Sequence, residues 1–232
     1  MAVDHDGTTA DREWLINQIA HALRNPIFAA SVQAEALLMR AANQDAVVKT
    51  AEALRGQLDR LSKSIDEMLL YGRPMRPNLA LVNVAELLES AVQRCRSGAS
   101  GELPTVDIVE VDPVLKCRSD RNAVLVILER LLDNAIQHTE APHEVRLRAR
   151  QSTAGEVEIT VEDDGEGIAP ELLDQVTLPF FPQHSGRPGL GLAVADKFVR
   201  ILGGRLEIES TDGRGTVVRC ILPQPAEDAG DR

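Results

Sequence analysis

The sequence predicts an α+β protein in two parts: an antiparallel helical hairpin, then a domain with helices on one face of a mostly antiparallel or mixed sheet. Three observations carry this. From Asp11 to about Tyr71 the only glycine is Gly56 and the only proline Pro26, and apolar residues recur three and four apart, the period of a helix. The run Tyr71-Gly72-Arg73-Pro74-Met75-Arg76-Pro77 then breaks the pattern, because each proline lacks a donor and restricts the residue before it. Beyond it, segments that alternate polar and apolar residues are interleaved with helical ones.

In the first helix Ile16, Ile19, Leu23, Pro26, Ala30 and Leu37 follow the seam, with Gln33 as a polar interruption. In the second, Val47, Ala51, Leu54, Leu58, Leu61, Ile65 and Met68 keep it unbroken. Ala42-Asn43-Gln44-Asp45 offers the turn between them, with Asp45 as a helix N-cap. Two helices cannot enclose both seams, so pairing two hairpins as a four-helix bundle, in a homodimer, is the economical arrangement. The expected organisation is a hairpin at 9–73, a linker at 74–79, a second domain at 80–223 and a frayed tail at 224–232. Within the second domain the patterns predict helices at Val84–Cys95, Asp120–His138 and Leu190–Leu202. Strands are expected at Val106–Glu110, Glu144–Arg150, Glu156–Asp163, Arg205–Glu209 and Thr216–Leu222.

Composition narrows the function. With 25 Lys+Arg against 36 Asp+Glu, the 232-residue chain carries a formal charge of -11, which argues against nucleic acid or an anionic membrane as a partner held by general electrostatics. Any phosphate must be held by local geometry. No apolar run reaches the length of a spanning helix and the N-terminus lacks the regions of a signal peptide, so the expectation is a cytoplasmic protein without direct membrane insertion. Cys95, Cys117 and Cys220 are odd in number and widely spaced, which suits reduced thiols better than disulfides or zinc.

Four motifs carry chemistry. His21 falls on the face opposite the first seam, with Asn25 one turn later, and an exposed imidazole beside an amide is a usable nucleophile. Leu131-Leu132-Asp133-Asn134-Ala135-Ile136-Gln137-His138-Thr139 ends a predicted helix. Val161-Glu162-Asp163-Asp164-Gly165-Glu166-Gly167-Ile168 places a carboxylate at a strand end, where two glycines let the backbone approach a ligand. Gly189-Leu190-Gly191-Leu192-Ala193 opens a helix, whose free N–H groups suit an anion. Each motif is weak alone; their order along one chain is not.

That order resembles the catalytic core of bacterial two-component sensor histidine kinases, of the nitrogen-sensor-like kind, over about residues 12–223. Ala20-His21-Ala22-Leu23-Arg24-Asn25-Pro26 looks like the H-box, the Asn134 motif like the N-box, and Pro179-Phe180-Phe181 with the following residues like the F-box and a short ATP lid. Gly213-Arg214-Gly215-Thr216 looks like the final Gly-Thr element. The resemblance implies a phosphotransfer hairpin followed by an α/β-sandwich ATP-binding domain of the Bergerat (GHKL) type. It implies ATP and Mg²⁺ as cofactors, with Asn134 as the metal ligand and Asp163 as the reader of the adenine amino group. His138, Gly165, Gly167, Gly189, Gly191 and Thr216 complete the implied nucleotide site, and His21 with Asn25 the catalytic pair. Some positions depart from the family pattern. Ala22 replaces the acidic residue that takes the imidazole proton, Arg130 replaces an Asn, Gln137-His138 replace Lys-Tyr, and His184 stands where the lid often has Lys, with Arg187 as a possible substitute.

The implied activity is autophosphorylation of His21 from Mg-ATP and transfer to an aspartate of a response regulator receiver domain, with Phe28 as a candidate docking contact. Two alternatives stand beside it: a kinase-weak phosphotransferase or phosphatase of a response regulator, favoured by Ala22 and Asn25, and an ATP-gated interaction module without enzymatic activity. The residues before the first predicted helix are too few for a sensor domain, so signal input is expected from an upstream sensor protein or a region outside this sequence.

Overall fold

A computed structural model describes residues 23–24, 27–37, 39, 45–98, 105–139, 144–181 and 189–223. These fall in two compact units, one formed by the residues up to Pro74 with Gly189 and Leu190, the other by Met75–Phe181 with the residues from Gly191 onward.

In the first unit, residues 27–37 are helical (α1), and α2 spans Asp45–Gly72. Their shared core is Ile27, Ala34, Leu58 and Ile65, with Ala30, Met68 and Leu69 packed against it. The heptad of α2 is thus split. Ala51, Leu58 and Ile65, seven apart, are buried, whereas Leu54 and Leu61 on the alternate positions stay exposed. In α1 the inward positions are Ile27, Ala30 and Ala34, and Gln33 is exposed. The stripe that packs within the hairpin is therefore Ile27, Ala30 and Ala34, while Leu37, another residue of the expected seam, is exposed in the single hairpin and Pro26 lies outside the described residues. Arg24 pairs with Asp66 across the hairpin.

The second unit is a two-layer sandwich. Its strands are β1 (Ala80–Asn83), β2 (Thr105–Val111), β3 (Lys116–Ser119), β4 (Glu144–Gln151), β5 (Val157–Asp163), β6 (Arg205–Ser210) and β7 (Thr216–Leu222). Its helices are α3 (Val84–Gly98), α4 (Arg121–Gln137) and α5 (Gly191–Ile201), with a 3-10 turn at Pro170–Leu172. The main sheet has the order β2-β4-β5-β7-β6; β2 runs parallel to β4 and every other pair is antiparallel. β1 and β3 form a separate antiparallel pair that the sequence patterns missed.

The two faces of the main sheet differ sharply. The inner face carries Val145, Leu147, Ala149, Val157, Ile159, Val161, Val218, Cys220 and Leu222, all buried. Helix α4 supplies the opposing apolar surface with Val124, Ile127, Leu128, Leu131 and Leu132. The outer face is a grid of opposite charges on neighbouring strands: Arg146 and Arg148 bond Glu162, Arg150 bonds Glu158, and Arg219 bonds Glu209. Cross-strand pairs of this kind suit a sheet whose second face meets water.

Helix α4 is held at both ends. Asp120 is its N-cap, accepting the N–H groups of Asn122 and Ala123 through Oδ1 at 2.9 and 3.0 Å, while Oδ2 accepts the N–H of Asn78 at 2.8 Å. One buried carboxylate therefore starts the helix and anchors the chain just after the proline-rich run. At the other end His138 caps the helix, its N–H donating to the Asn134 carbonyl.

Candidate functional site

The period of two along a strand builds the centre of the site. Val157, Ile159 and Val161 face inward along β5, and the next inward position is Asp163, buried at 7% exposure. Directly opposite on β7 lies Thr216, and opposite Thr216 on β6 lies Ser210. A row of three polar residues thus occupies the end of an otherwise apolar face.

Their hydrogen bonds are mutually consistent. Asp163 Oδ1 accepts the N–H of Gly165 at 3.0 Å and that of Thr216 at 3.3 Å. Among the described residues, nothing is bonded to Oδ2. Ser210 Oγ lies 2.8 Å from the Gly215 carbonyl, which only its hydroxyl hydrogen can reach, so Thr216 Oγ1 is the donor in the 3.0 Å contact between the two hydroxyls. Ser210 also accepts the N–H of Ile168 at 2.8 Å. Burial pushes the Asp163 carboxyl above the usual carboxylate range; the two backbone N–H groups and the nearby His138 ring offset this in part.

The glycines fall into two groups. A Cβ at Gly165 would meet the His138 carbonyl oxygen at 2.0 Å, and one at Gly215 the Asp163 carbonyl oxygen at 2.0 Å, so the fold itself requires glycine there. Gly167 combines a positive φ of 73° with a backbone atom, Thr211 O, 2.1 Å from where its Cβ would lie. Gly189 also has a positive φ, of 63°. Gly191, the first residue of α5, has neither constraint: its φ is ordinary and, among the described residues, a Cβ would meet nothing within 4 Å. Its side faces open space at a helix N-terminus, where unpaired N–H groups favour an anion.

On α4, Asn134 is half-buried one turn after Arg130, and Arg130 pairs with Asp133 at 3.5 Å. His138 follows one turn later, its Nδ1 donating to Glu166 Oε1 at 2.6 Å. The Thr139 hydroxyl is buried and has no hydrogen-bond partner among the described residues.

Asn134, His138, Asp163, Gly165, Gly167, Gly191 and Thr216 accordingly belong to one end of the sandwich, on α4, the β5 end with its following loop, β7 and the start of α5. Gly189 groups with the first unit. His21, Ala22, Asn25 and residues 182–188, which include His184 and Arg187, lie outside the described residues. Sequence reasoning missed Ser210 and Glu166. Ser210 had a signal, since it continues the inward positions of Leu206 and Ile208; Glu166 had none, because its partner is 28 residues away.

A buried carboxylate with one open oxygen, beside glycines that bring backbone close and a helix N-terminus facing open space, defines a nucleotide-binding module of the α/β-sandwich ATPase class. The family model for the histidine kinase-, DNA gyrase B-, and HSP90-like ATPase matches residues 119–226, and that for the His Kinase A (phospho-acceptor) domain matches residues 11–76. The chain belongs to the sensor histidine kinases and comprises a two-component catalytic core. It is similar to the sensor histidine kinase ZraS of Salmonella typhimurium, 26% identical over 205 residues that make up 88% of this chain and 44% of ZraS. It thus spans less than half the length of that relative. Among solved structures, full-length ShkA in complex with AMPPNP superposes with a TM-score of 0.72 at 22% identity, covering 90% of this chain and 45% of ShkA. The histidine kinase ThkA in complex with the response regulator TrrA does so with a TM-score of 0.67 at 18% identity, covering 97% of this chain and 66% of ThkA. At these identities the two structures establish the fold. Among the described residues no helix is long and apolar enough to cross a membrane.

Proposed function

We propose that this chain is an ATP-dependent protein-histidine kinase that phosphorylates its own His21 and passes the phosphoryl group to an aspartate of a response regulator. One observation carries the reading: Asp163 is buried, has Oδ1 pinned by two backbone N–H groups, and has no hydrogen bond to Oδ2 among the described residues. That is the form of an acceptor waiting for the exocyclic amine of adenine. Thr216 spends its hydroxyl hydrogen on Ser210 and so offers the same base a lone pair. Gly165 holds the loop against the α4 end and Gly167 holds it against Thr211 after β6, while Gly191, and with it Gly189, opens the start of α5 to phosphate.

Asn134 is the residue that would hold Mg²⁺, a cation that neutralises phosphate charge when bound. An amide oxygen at a half-buried position on a capped helix is a suitable hard donor for it. His138 would face the nucleotide from the end of the same helix. On the hairpin, His21 is the proposed acceptor and Asn25 its neighbour.

The chain acts as a homodimer in this reading. Leu23, Leu37, Leu54 and Leu61, all over 40% exposed in a single hairpin, are the positions a second hairpin would cover. Leu58→Glu, which charges the hairpin's own core, is expected to dissociate or unfold the dimer, checked by light scattering at micromolar concentration. Phe28, 70% exposed, is a candidate contact for the regulator, a partner class that the ThkA complex with TrrA supports. The three free cysteines are in keeping with the cytoplasm.

Incubation with γ-labelled ATP tests the proposal. Label should enter the wild type, be absent from His21→Gln, and transfer to a purified receiver domain. Tight ATP binding with no label on His21 would leave a nucleotide-gated interaction module instead.

A further inference from the structure

We propose that Glu166 is a positioning residue for the nucleotide site: it holds the His138 ring in one tautomer and one orientation, so that the other ring nitrogen meets a bound nucleotide. This rests on reading the surroundings of Asp163 as an ATP site.

Glu166 is fixed before its side chain acts. Its N–H donates to the His138 carbonyl at 3.2 Å, and its own carbonyl accepts the N–H of Gly213 at 2.7 Å. From that point the carboxylate returns to His138, where Oε1 lies 2.6 Å from Nδ1. Residues 138 and 166 are therefore clasped twice, once through backbone and once through side chains. A carboxylate only accepts, so Nδ1 carries the hydrogen and Nε2 is left for another partner. The ring is tucked in, at 22% side-chain exposure, while the carboxylate holding it is 68% exposed.

Stability does not explain the clasp, because an exposed ion pair contributes little and ordering a long side chain opposes it. Its position does. His138 lies one helical turn beyond Asn134, and its carbonyl abuts Gly165, whose N–H bonds Asp163. A ring fixed there meets a nucleotide without first being ordered, which is the general advantage of preorganisation.

Charge gives the proposal a sign that a surface role would not share. ATP is a polyanion, and an exposed carboxylate near its site repels it. If Glu166 were merely superficial, deleting it would leave nucleotide affinity unchanged or raise it. A positioning role predicts the reverse.

The test measures ATP affinity of the full chain by calorimetry for the wild type, Glu166→Ala, Glu166→Gln, His138→Ala, the Glu166→Ala/His138→Ala double variant and Asp163→Asn. Glu166→Ala is expected to weaken binding about five- to tenfold, the range of one lost hydrogen bond. Glu166→Gln keeps an acceptor and drops the charge, so it should bind at least as well as the wild type. In the His138→Ala background Glu166→Ala should no longer weaken binding, and removal of the charge leaves affinity equal or slightly raised. Nitrogen NMR of the His138 ring without nucleotide should show Nδ1 carrying the hydrogen in the wild type and a changed pattern in Glu166→Ala. Equal or tighter binding by Glu166→Ala, or the same loss in both backgrounds, overturns the proposal. If Asp163→Asn loses binding while Glu166→Ala does not, only the positioning role falls; if the wild type does not bind ATP, the site reading falls with it.

Discussion

Asp120 and Asp163 are buried to nearly the same degree, 8% and 7% exposed, and are held in opposite ways. Asp120, at the start of α4, has both oxygens engaged by backbone N–H groups from two parts of the chain. Asp163, at the end of β5, has one oxygen engaged twice and the other open. Burial alone therefore does not separate a structural carboxylate from one proposed to bind a ligand. What separates them is whether every acceptor is satisfied within the protein, since an unsatisfied buried oxygen costs free energy until a ligand supplies a donor. A third arrangement lies on the outer face of the same sheet, where carboxylates meet water and arginine.

The largest expected effect breaks the comparison at Asp163. Asp163→Asn keeps an oxygen for Gly165 and Thr216 but turns the charged acceptor into a neutral amide, so ATP affinity should fall about ten- to a hundredfold by calorimetry. Stability of the unliganded protein should move the other way. Because burial raises the folded-state pKa of Asp163, the folded protein binds this proton more tightly than the unfolded chain does. That contribution is present at low pH and is lost as pH rises through the raised value, so once ionised, buried Asp163 counts against the stability of the folded protein. Thermal unfolding without nucleotide should give a higher Tm for Asp163→Asn at pH 7, and the gap should narrow toward pH 4. A lower Tm at pH 7 would mean that the carboxylate serves the fold as Asp120 does.

Asp120→Ala should show the mirror image. It removes an N-cap and leaves three N–H groups without their acceptor, costing about 2 kcal/mol of stability in denaturant unfolding. Amide exchange should quicken at Asn78, Asn122 and Ala123 first. Nucleotide affinity, measured where the variant remains folded, should change less than twofold.

Much of this contrast was legible in the sequence. The α4 pattern marked Asp120–His138, and the structure places those two residues as its caps. Alternation marked the inner faces of β4, β5 and β7, and on β5 and β7 it placed Asp163 and Thr216 where a purely structural sheet would carry apolar residues. The open oxygen was not legible, because it depends on which backbone N–H groups arrive from Gly165 and Thr216. Strands β1 and β3 escaped because each has four residues and finds its partner in the other, about 35 positions away, too short for a period to register. Ala34 escaped notice because the seam was followed through Gln33 and Leu37, whereas the residue one turn on from Ala30 that packs within the hairpin is Ala34.

On the outer face the expected effect is small. Arg148 meets Glu162 at 2.5 Å with side chains 40% and 26% exposed, so solvent screens the pair. Glu162→Gln should cost no more than about 0.5–1 kcal/mol, and the cost should shrink as salt rises from 0.05 to 0.5 M, at roughly the scale set by the Debye length. Glu156 and Glu209 are held below the ordinary carboxylate range by hydrogen bonds from Arg205 and Arg219. Their contribution is present above the unfolded-state pKa and lost as pH falls through the folded one, opposite in sign to Asp163.

The smallest effect at neutral pH concerns acids that the fold buries without donors. Burial pushes the thiols of Cys95 and Cys220 up to about 12 and that of Cys117 to about 11, with Asp133 and Glu129 adding to the rise at Cys95. These groups stay protonated, which is what a buried acid does when no N–H group stabilises its anion. At Asp163, by contrast, the N–H groups of Gly165 and Thr216 offset part of the rise that burial causes. At pH 7 the thiols should therefore be silent: a colourimetric thiol reagent should label the folded protein slowly, Cys95 before the buried Cys117 and Cys220, and label all three promptly in denaturant. The raised folded-state values also fix a sign. Stability contributed by the protonated thiols is complete below the unfolded pKa of about 9 and is lost as pH rises toward 11 and 12. Denaturant midpoints measured between pH 8 and 10.5 should decline from about pH 9, and Cys117→Ala/Cys220→Ala should flatten that decline even though the variant starts less stable. An unchanged slope would show that the core thiols do not set the alkaline limit, and prompt labelling at pH 7 would show that they are not held neutral.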